Sequence, residues 1–124
     1  MKKASRDLLQ QITDANGTSG YEGRIAKIVA EQLAGVGALS YDNLGGIICE
    51  KVGDPAGPKI MLAGHMDEIG FMVKLVTKEG YIKFSTLGCW WDQVLLAQRV
   101  VIETSKGALP GIIGSKPPHL LPAD

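Results

Sequence analysis

Two segments near the N-terminus carry apolar residues at helical spacing. Residues 5–15 place on one face Leu8, Leu9, Ile12 and Ala15. Residues 18–37 repeat the spacing with a stripe formed by Ile25, Ile28, Val29 and Leu33. We therefore predict two amphipathic helices, the first ended by Asn16-Gly17. Ser19 and Glu22 match the capping-box pattern S-x-x-E ahead of the second helix.

Short apolar runs separated by turn residues replace the helical pattern after residue 37. Residues 38–42 and 46–52 fit a β-hairpin across Asn43-Leu44-Gly45. Residues 59–64, "KIMLAG", are mostly apolar without alternation, which is typical of a central strand covered on both faces. Two helices followed by such strands predict a layered α/β domain.

From Phe71 onward the apolar positions alternate, as they do in half-buried strands. Residues 71–77 and 81–87 predict one antiparallel hairpin, and residues 99–104 and 108–114 predict another, with "GCWWDQVLLAQ" as a short irregular or helical connection. This change from helices and short apolar runs to alternating apolar positions predicts a domain boundary near Gly70. We expect residues 1–70 to be α/β and residues 71–124 to be antiparallel β.

Composition and charge narrow the class of protein. The 124 residues are 45% hydrophobic and 21% charged, which is ordinary for a soluble globular domain. Lys plus Arg equals Asp plus Glu at 13 each, which argues against a nucleic-acid partner and a membrane-surface partner. The sequence has no apolar run of about 20 residues and no apolar signal core. Cys49 and Cys89 stand in no CxxC motif, so we expect reduced thiols in a cytoplasmic protein.

Chemically active side chains concentrate in "MLAGHMDEIGFMV", residues 61–73. If residues 59–64 form a parallel strand, His65, Asp67 and Glu68 follow its carboxyl end, where open α/β sheets bind ligands. His65 offers an imidazole nitrogen suited to zinc or another late divalent metal. Asp67 points the same way in extended chain and can accept the other ring N–H. Glu68 faces elsewhere, toward a second shell or a structural partner.

The spacing alone leaves a second interpretation open. A catalytic metal centre takes about three protein ligands plus water, and one His with one carboxylate does not complete it. The remaining candidates, Asp42, His119 and Asp124, have no spacing that pairs with His65. A solvated turn with incidental ion pairs therefore fits the motif as well as a metal site does. We assign Asp42 to hairpin-turn chemistry and His119 to a loop.

Longer motifs add a resemblance to a known family. "AGHMDEIGFMV", with "SGYEG" before it and "GCWWDQVLLAQRVVIETSKGALPGIIGSKPPHLLP" after it, closely resembles the glutamyl-aminopeptidase-like metallopeptidases. These are the family-forty-two, tetrahedral (TET) aminopeptidases, and some members have been labelled endoglucanases. The resemblance covers essentially all 124 residues in order. It implies the N-terminal part of a zinc-peptidase-like α/β catalytic domain over residues 1–70. Residues 71–124 would be the first part of an inserted antiparallel β domain used for oligomerisation.

The resemblance also implies site residues, cofactors and partners. Carried over, His65 is a ligand in a site of two divalent metal ions, Zn or Co, and Asp67 is the catalytic residue that orients it. The family's other ligands and its Glu general base lie downstream of "PPHLLP". The resemblance implies a peptide substrate and a homo-oligomer in which dimers assemble to a dodecamer.

These implications give a leading expectation and two alternatives. We expect the N-terminal portion of an aminopeptidase that releases N-terminal residues from peptides. By itself the chain would be inactive, with at most partial metal binding. The main alternative is a truncated paralogue that acts as a non-catalytic assembly module. An endoglucanase ranks lower, because no pair of carboxylates is arranged for glycoside hydrolysis.

Overall fold

The computed structural model describes residues 2–116, so His119 and Asp124 lie outside the described residues. Both predicted helices are confirmed: α1 spans Lys3–Asp14 and α2 spans Gly23–Leu33. Neither helix of the described chain is long and apolar enough to cross a membrane. Cys49 and Cys89 are free thiols, as predicted.

Three antiparallel hairpins follow the helices, each a two-stranded sheet of its own. The strands pair as β1 Ala38–Tyr41 with β2 Ile47–Glu50, β3 Gly70–Val76 with β4 Ile82–Leu87, and β5 Arg99–Thr104 with β6 Gly107–Ile112. The connection before β5 contains a single 3-10 turn, Asp92–Val94. All three predicted hairpins are therefore confirmed. In the first turn, the Asp42 carboxylate accepts the backbone N–H groups of Leu44 and Gly46, as its turn assignment predicted.

The strand predicted over residues 59–64 is wrong for the described chain. These residues belong to no strand, and Ile60, Met61 and Leu62 are 81%, 87% and 95% exposed. A strand needs a neighbour for its backbone N–H and C=O groups, and none of the described residues pairs with this segment. The segment is apolar, as a central strand would be, but residues 2–116 form no sheet that covers it.

By its internal packing the chain divides into two units, Met1–Gly88 and Cys89–Asp124. In the first unit the buried apolar side chain among the described residues is Ile25, which is 4% exposed. In the second unit Leu95 and Ile113 are each 9% exposed. The second unit is closed by backbone hydrogen bonds from Ala97 to Ile113 and from Ile113 to Gln98. Each unit therefore has a small core.

Replacing Ile25 by Ala should lower the free energy of unfolding of the first unit by roughly 2–5 kcal/mol, because the change leaves a cavity at its best-buried apolar position. Ile28→Ala removes the same atoms from a partly exposed position on the same helix and should cost less than half as much. Urea denaturation followed by far-ultraviolet circular dichroism measures both. Equal losses for the two variants would show that Ile25 is not the packing centre of this unit.

Candidate functional site

The site lies where the loop between α1 and α2 meets the segment before β3. A parallel bridge joins Thr18 to Glu68. The Glu68 N–H donates to the Gly17 carbonyl at 2.8 Å, and the Gly17 N–H donates to Glu68 Oε1 at 2.9 Å. Glu68 thus holds the loop with both its backbone and its side chain. Two segments 51 positions apart are fastened together, with Glu68 in a structural contact of the kind that the sequence predicted.

At this junction the backbone of Gly17 packs closely against Ile25 of helix α2. Gly17 is buried, and a Cβ atom added there would lie 2.7 Å from Ile25 Cγ1 and 3.5 Å from the Met66 carbonyl oxygen. A side chain at this position would require either Ile25 or the loop to shift. The loop therefore rests on Ile25, the buried apolar residue of the first unit.

His65 and Asp67 are brought together at the edge of this junction. His65 Nδ1 lies 3.0 Å from Asp67 Oδ1 and 3.0 Å from the Asp67 carbonyl oxygen. A carbonyl oxygen can only accept a hydrogen bond, so Nδ1 carries the proton and, in the neutral ring, Nε2 carries the lone pair. The His65 side chain is 86% exposed. The pair therefore presents an oriented imidazole nitrogen of the kind that ligates divalent metals.

A third side chain completes this group, and it comes from the loop. Ser19 Oγ–H donates to Asp67 Oδ2 at 2.5 Å. Each oxygen of the carboxylate thus has its own partner, Ser19 on Oδ2 and His65 on Oδ1. The Ser19 hydrogen bond, and after it the bond to His65, hold the pKa of Asp67 below its ordinary value. Asp67 is therefore an anion at neutral pH, as its role toward an imidazole N–H requires.

The capping box predicted from Ser19 and Glu22 is wrong. Helix α2 begins at Gly23, and Glu22 rather than Ser19 precedes it. Gly20 has φ +87°, a left-handed conformation that cannot begin a helix. Glu22 Oε1 accepts a hydrogen bond from the Gly20 N–H at 2.8 Å, and the Ser19 hydroxyl donates to Asp67. Sequence reasoning missed this contact because nothing local signals a partner 48 positions away.

The described residues offer one candidate metal ligand, His65, with the carboxylate of Asp67 beside it. Between residues 2 and 116 no group of three or more His, Cys, Asp or Glu side chains is placed to hold a metal ion. Glu68 is occupied by Gly17, and Asp42 belongs to its hairpin turn. The imidazole of His65 could therefore supply one ligand of a larger metal centre. The other predicted candidates, His119 and Asp124, lie outside the described residues.

Comparisons with known proteins place this chain in a family. Residues 45–124 match the M42 glutamyl aminopeptidase family. The lysyl aminopeptidase of Pyrococcus furiosus is 37% identical over 116 residues, which are 92% of this chain and 33% of the relative. Two solved structures extend the comparison to three dimensions. The TET aminopeptidase of Thaumarchaeota archaeon SCGC AB-539-E09 has a TM-score of 0.88 at 45% identity, covering 96% of this chain and 33% of its own.

A second structure, the TET1 peptidase of Pyrococcus horikoshii, is described as assembling into a tetrahedron or a large octahedral shell. It has a TM-score of 0.78 at 35% identity, covering 93% of this chain and 34% of its own. The chain thus spans about a third of the length of these relatives. Its mixed helix-and-hairpin architecture is theirs over the shared region. The family match covers more than half of the sequence, and the chain belongs to the M42 glutamyl aminopeptidase family.

Proposed function

We propose that this chain contributes the first part of the catalytic centre of a metal-dependent aminopeptidase that releases N-terminal residues from peptides. One observation carries the proposal: His65 Nδ1 lies 3.0 Å from two oxygens of Asp67, the carboxylate Oδ1 and the backbone carbonyl. Two acceptors on this side of the ring favour a proton on Nδ1, which leaves the Nε2 lone pair as a metal ligand. In a chain of the M42 family this arrangement favours a metal site over an incidental ion pair.

His65 would bind one of two divalent metal ions, Zn or Co, and Asp67 would be the catalytic residue that orients it. When bound, such ions polarise a scissile carbonyl and lower the pKa of water. The residues of this chain prepare the site. Asp67 holds the imidazole in the Nδ1–H tautomer, and Glu68 fixes the loop beside it. The remaining ligands would come from the two-thirds of the relatives' length that this chain does not span.

The same proposal covers architecture and assembly. Residues 1–70 would form part of a layered α/β catalytic domain whose remaining elements lie outside this chain. The exposure of Ile60, Met61 and Leu62 supports this, because an exposed apolar run marks a surface that other chain covers. Residues 71–124 would begin an inserted β domain for oligomerisation, an inference supported by the antiparallel hairpins. A peptide substrate, a homo-oligomer and a cytoplasmic location belong to the same proposal.

A second candidate is a non-catalytic assembly module. It is favoured by one observation, the lack of a third metal-ligating group among residues 2–116. The gene distinguishes the two functions. A reading frame that continues past the codon for Asp124 and encodes Asp, paired Glu and His ligands supports the enzyme. A stop codon at that point supports the module.

A chimera tests the proposed enzyme directly. Residues 1–124 are joined to the last two-thirds of the Pyrococcus furiosus lysyl aminopeptidase, to which the shared region is 37% identical. We expect metal-dependent release of N-terminal residues from peptides, lost on chelation and restored by Zn or Co. The matched control is the same chimera with His65→Ala, which should be inactive. A chimera that folds and assembles like the relative but lacks activity would contradict the proposal and favour the module.

A further inference from the structure

Among the three hydrogen-bonded side chains of the site, His65, Asp67 and Ser19, only Ser19 has no role in the proposed function. We propose that Ser19 is a positioning residue, whose hydrogen bond to Asp67 Oδ2 fixes the carboxylate so that Oδ1 meets His65 Nδ1. The inference rests on the proposed function for its consequence, because the orientation matters when His65 ligates a metal. Its geometry is independent of that function.

The Asp67 carboxylate needs two hydrogen bonds to hold a fixed orientation. The bond between Cβ and Cγ of an aspartate has a broad, soft rotation, so one hydrogen bond leaves the plane of the carboxylate poorly defined. Here the two oxygens are held from opposite partners, Ser19 on Oδ2 and His65 on Oδ1. The second bond removes the rotation that the first one allows. Ser19 therefore fixes the plane of the carboxylate that, together with the Asp67 carbonyl oxygen, faces His65 Nδ1.

The backbone that carries the Ser19 hydroxyl is held by hydrogen bonds on both sides. On the N-terminal side, Thr18 is bridged to Glu68, and Gly17 is linked to Glu68 by two hydrogen bonds. On the C-terminal side, the Tyr21 N–H donates to the Thr18 carbonyl at 2.8 Å, which closes a tight turn around Ser19. Because the backbone is anchored before and after it, Ser19 can hold its hydroxyl at a fixed point beside Asp67.

A purely structural role for Ser19 does not account for this arrangement. Helix α2 begins at Gly23, so the hydroxyl does not cap it. The loop is already tied to the following segment through Gly17, Thr18 and Glu68. One more exposed hydrogen bond adds little to that attachment. The Ser19 hydrogen bond instead orients the Asp67 carboxylate toward His65.

The test measures the tautomer of His65 in the full 124-residue chain by nitrogen NMR of labelled histidine at mildly alkaline pH, where imidazoles are neutral. His65→Gln assigns its signals against those of His119. We expect the Nδ1–H tautomer to dominate for His65 in the wild-type chain. Ser19→Ala should raise the population of the Nε2–H tautomer several-fold, and Ser19→Thr, which keeps the hydroxyl, should restore the wild-type ratio.

A second measurement separates positioning from attachment. Amide hydrogen exchange at Gly17 and Glu68 reports whether the loop stays in place. A changed tautomer with unchanged exchange supports the inference. An unchanged tautomer in Ser19→Ala, or a wild-type ratio without Nδ1–H preference, would overturn it. Faster exchange at both amides would make Ser19 a tether and overturn it too. None of these readouts needs activity, so an inactive chimera would remove the proposed function without deciding the role of Ser19.

Discussion

Purified by itself and supplied with Zn or Co, the 124-residue chain should release no detectable chromophore from aminoacyl p-nitroanilides. A catalytic metal centre takes about three protein ligands plus water. The described residues bring together a single imidazole and the carboxylate that orients it. One ligand holds a metal ion too weakly and too loosely to activate water at a defined place.

The comparison that gives this result meaning is a longer relative, the Pyrococcus furiosus lysyl aminopeptidase, assayed with the same substrates and metals. Turnover by the chain that follows its elution profile, disappears on chelation and is lost in His65→Gln would refute the prediction. Turnover that persists in His65→Gln would instead identify a contaminating peptidase.

In the chimera with the relative's remaining two-thirds, Asp67→Asn should reduce metal affinity or kcat/KM by roughly 10–100-fold, which is the usual cost of losing the group that orients a metal-bound histidine. The amide keeps the shape of the carboxylate but lacks its charge. It also offers an NH₂ group where either Ser19 or His65 now finds an acceptor. Facing His65, the NH₂ group removes the side-chain acceptor of Nδ1–H. Facing Ser19, it can donate to the hydroxyl, and His65 then keeps an acceptor that no longer carries a charge.

The matched control is Asp42→Asn, a carboxylate of the β1–β2 turn whose acceptor role an amide oxygen can take over. It should leave affinity and kcat/KM unchanged. Competition with a chelator gives the affinity, and peptide hydrolysis at saturating metal gives kcat/KM. If Asp67→Asn behaves like Asp42→Asn in both assays, Asp67 does not orient the ligand.

Local patterns predicted the elements that local forces build. The stripe containing Ile25 and Ile28 predicted α2, and the turn residues of each hairpin predicted its strands. The contact between His65 and Asp67 could be foreseen for the same reason, since residues two apart in extended chain point the same way.

Patterns failed where the partner is distant or not within the described chain. Residues 59–64 have the composition of a central strand, but no described residue pairs with them. Ser19 and Glu22 have the spacing of a capping box, yet Gly20 in the left-handed region delays the helix. The hydroxyl then turns to Asp67, 48 positions away, which no window along the sequence can register.

The contact between Gly17 and Ile25 has a consequence for how this protein can change over time. A side chain at Gly17 would require either Ile25 or the loop that carries Ser19 to shift, and a shifted loop would move the hydrogen-bond partner of the Asp67 carboxylate. Substitutions at this contact therefore act on the geometry of His65 and Asp67 as well. We therefore expect the stability of this unit and the geometry of the candidate ligand His65 to change together, and accepted changes at the two positions to occur as compensating pairs.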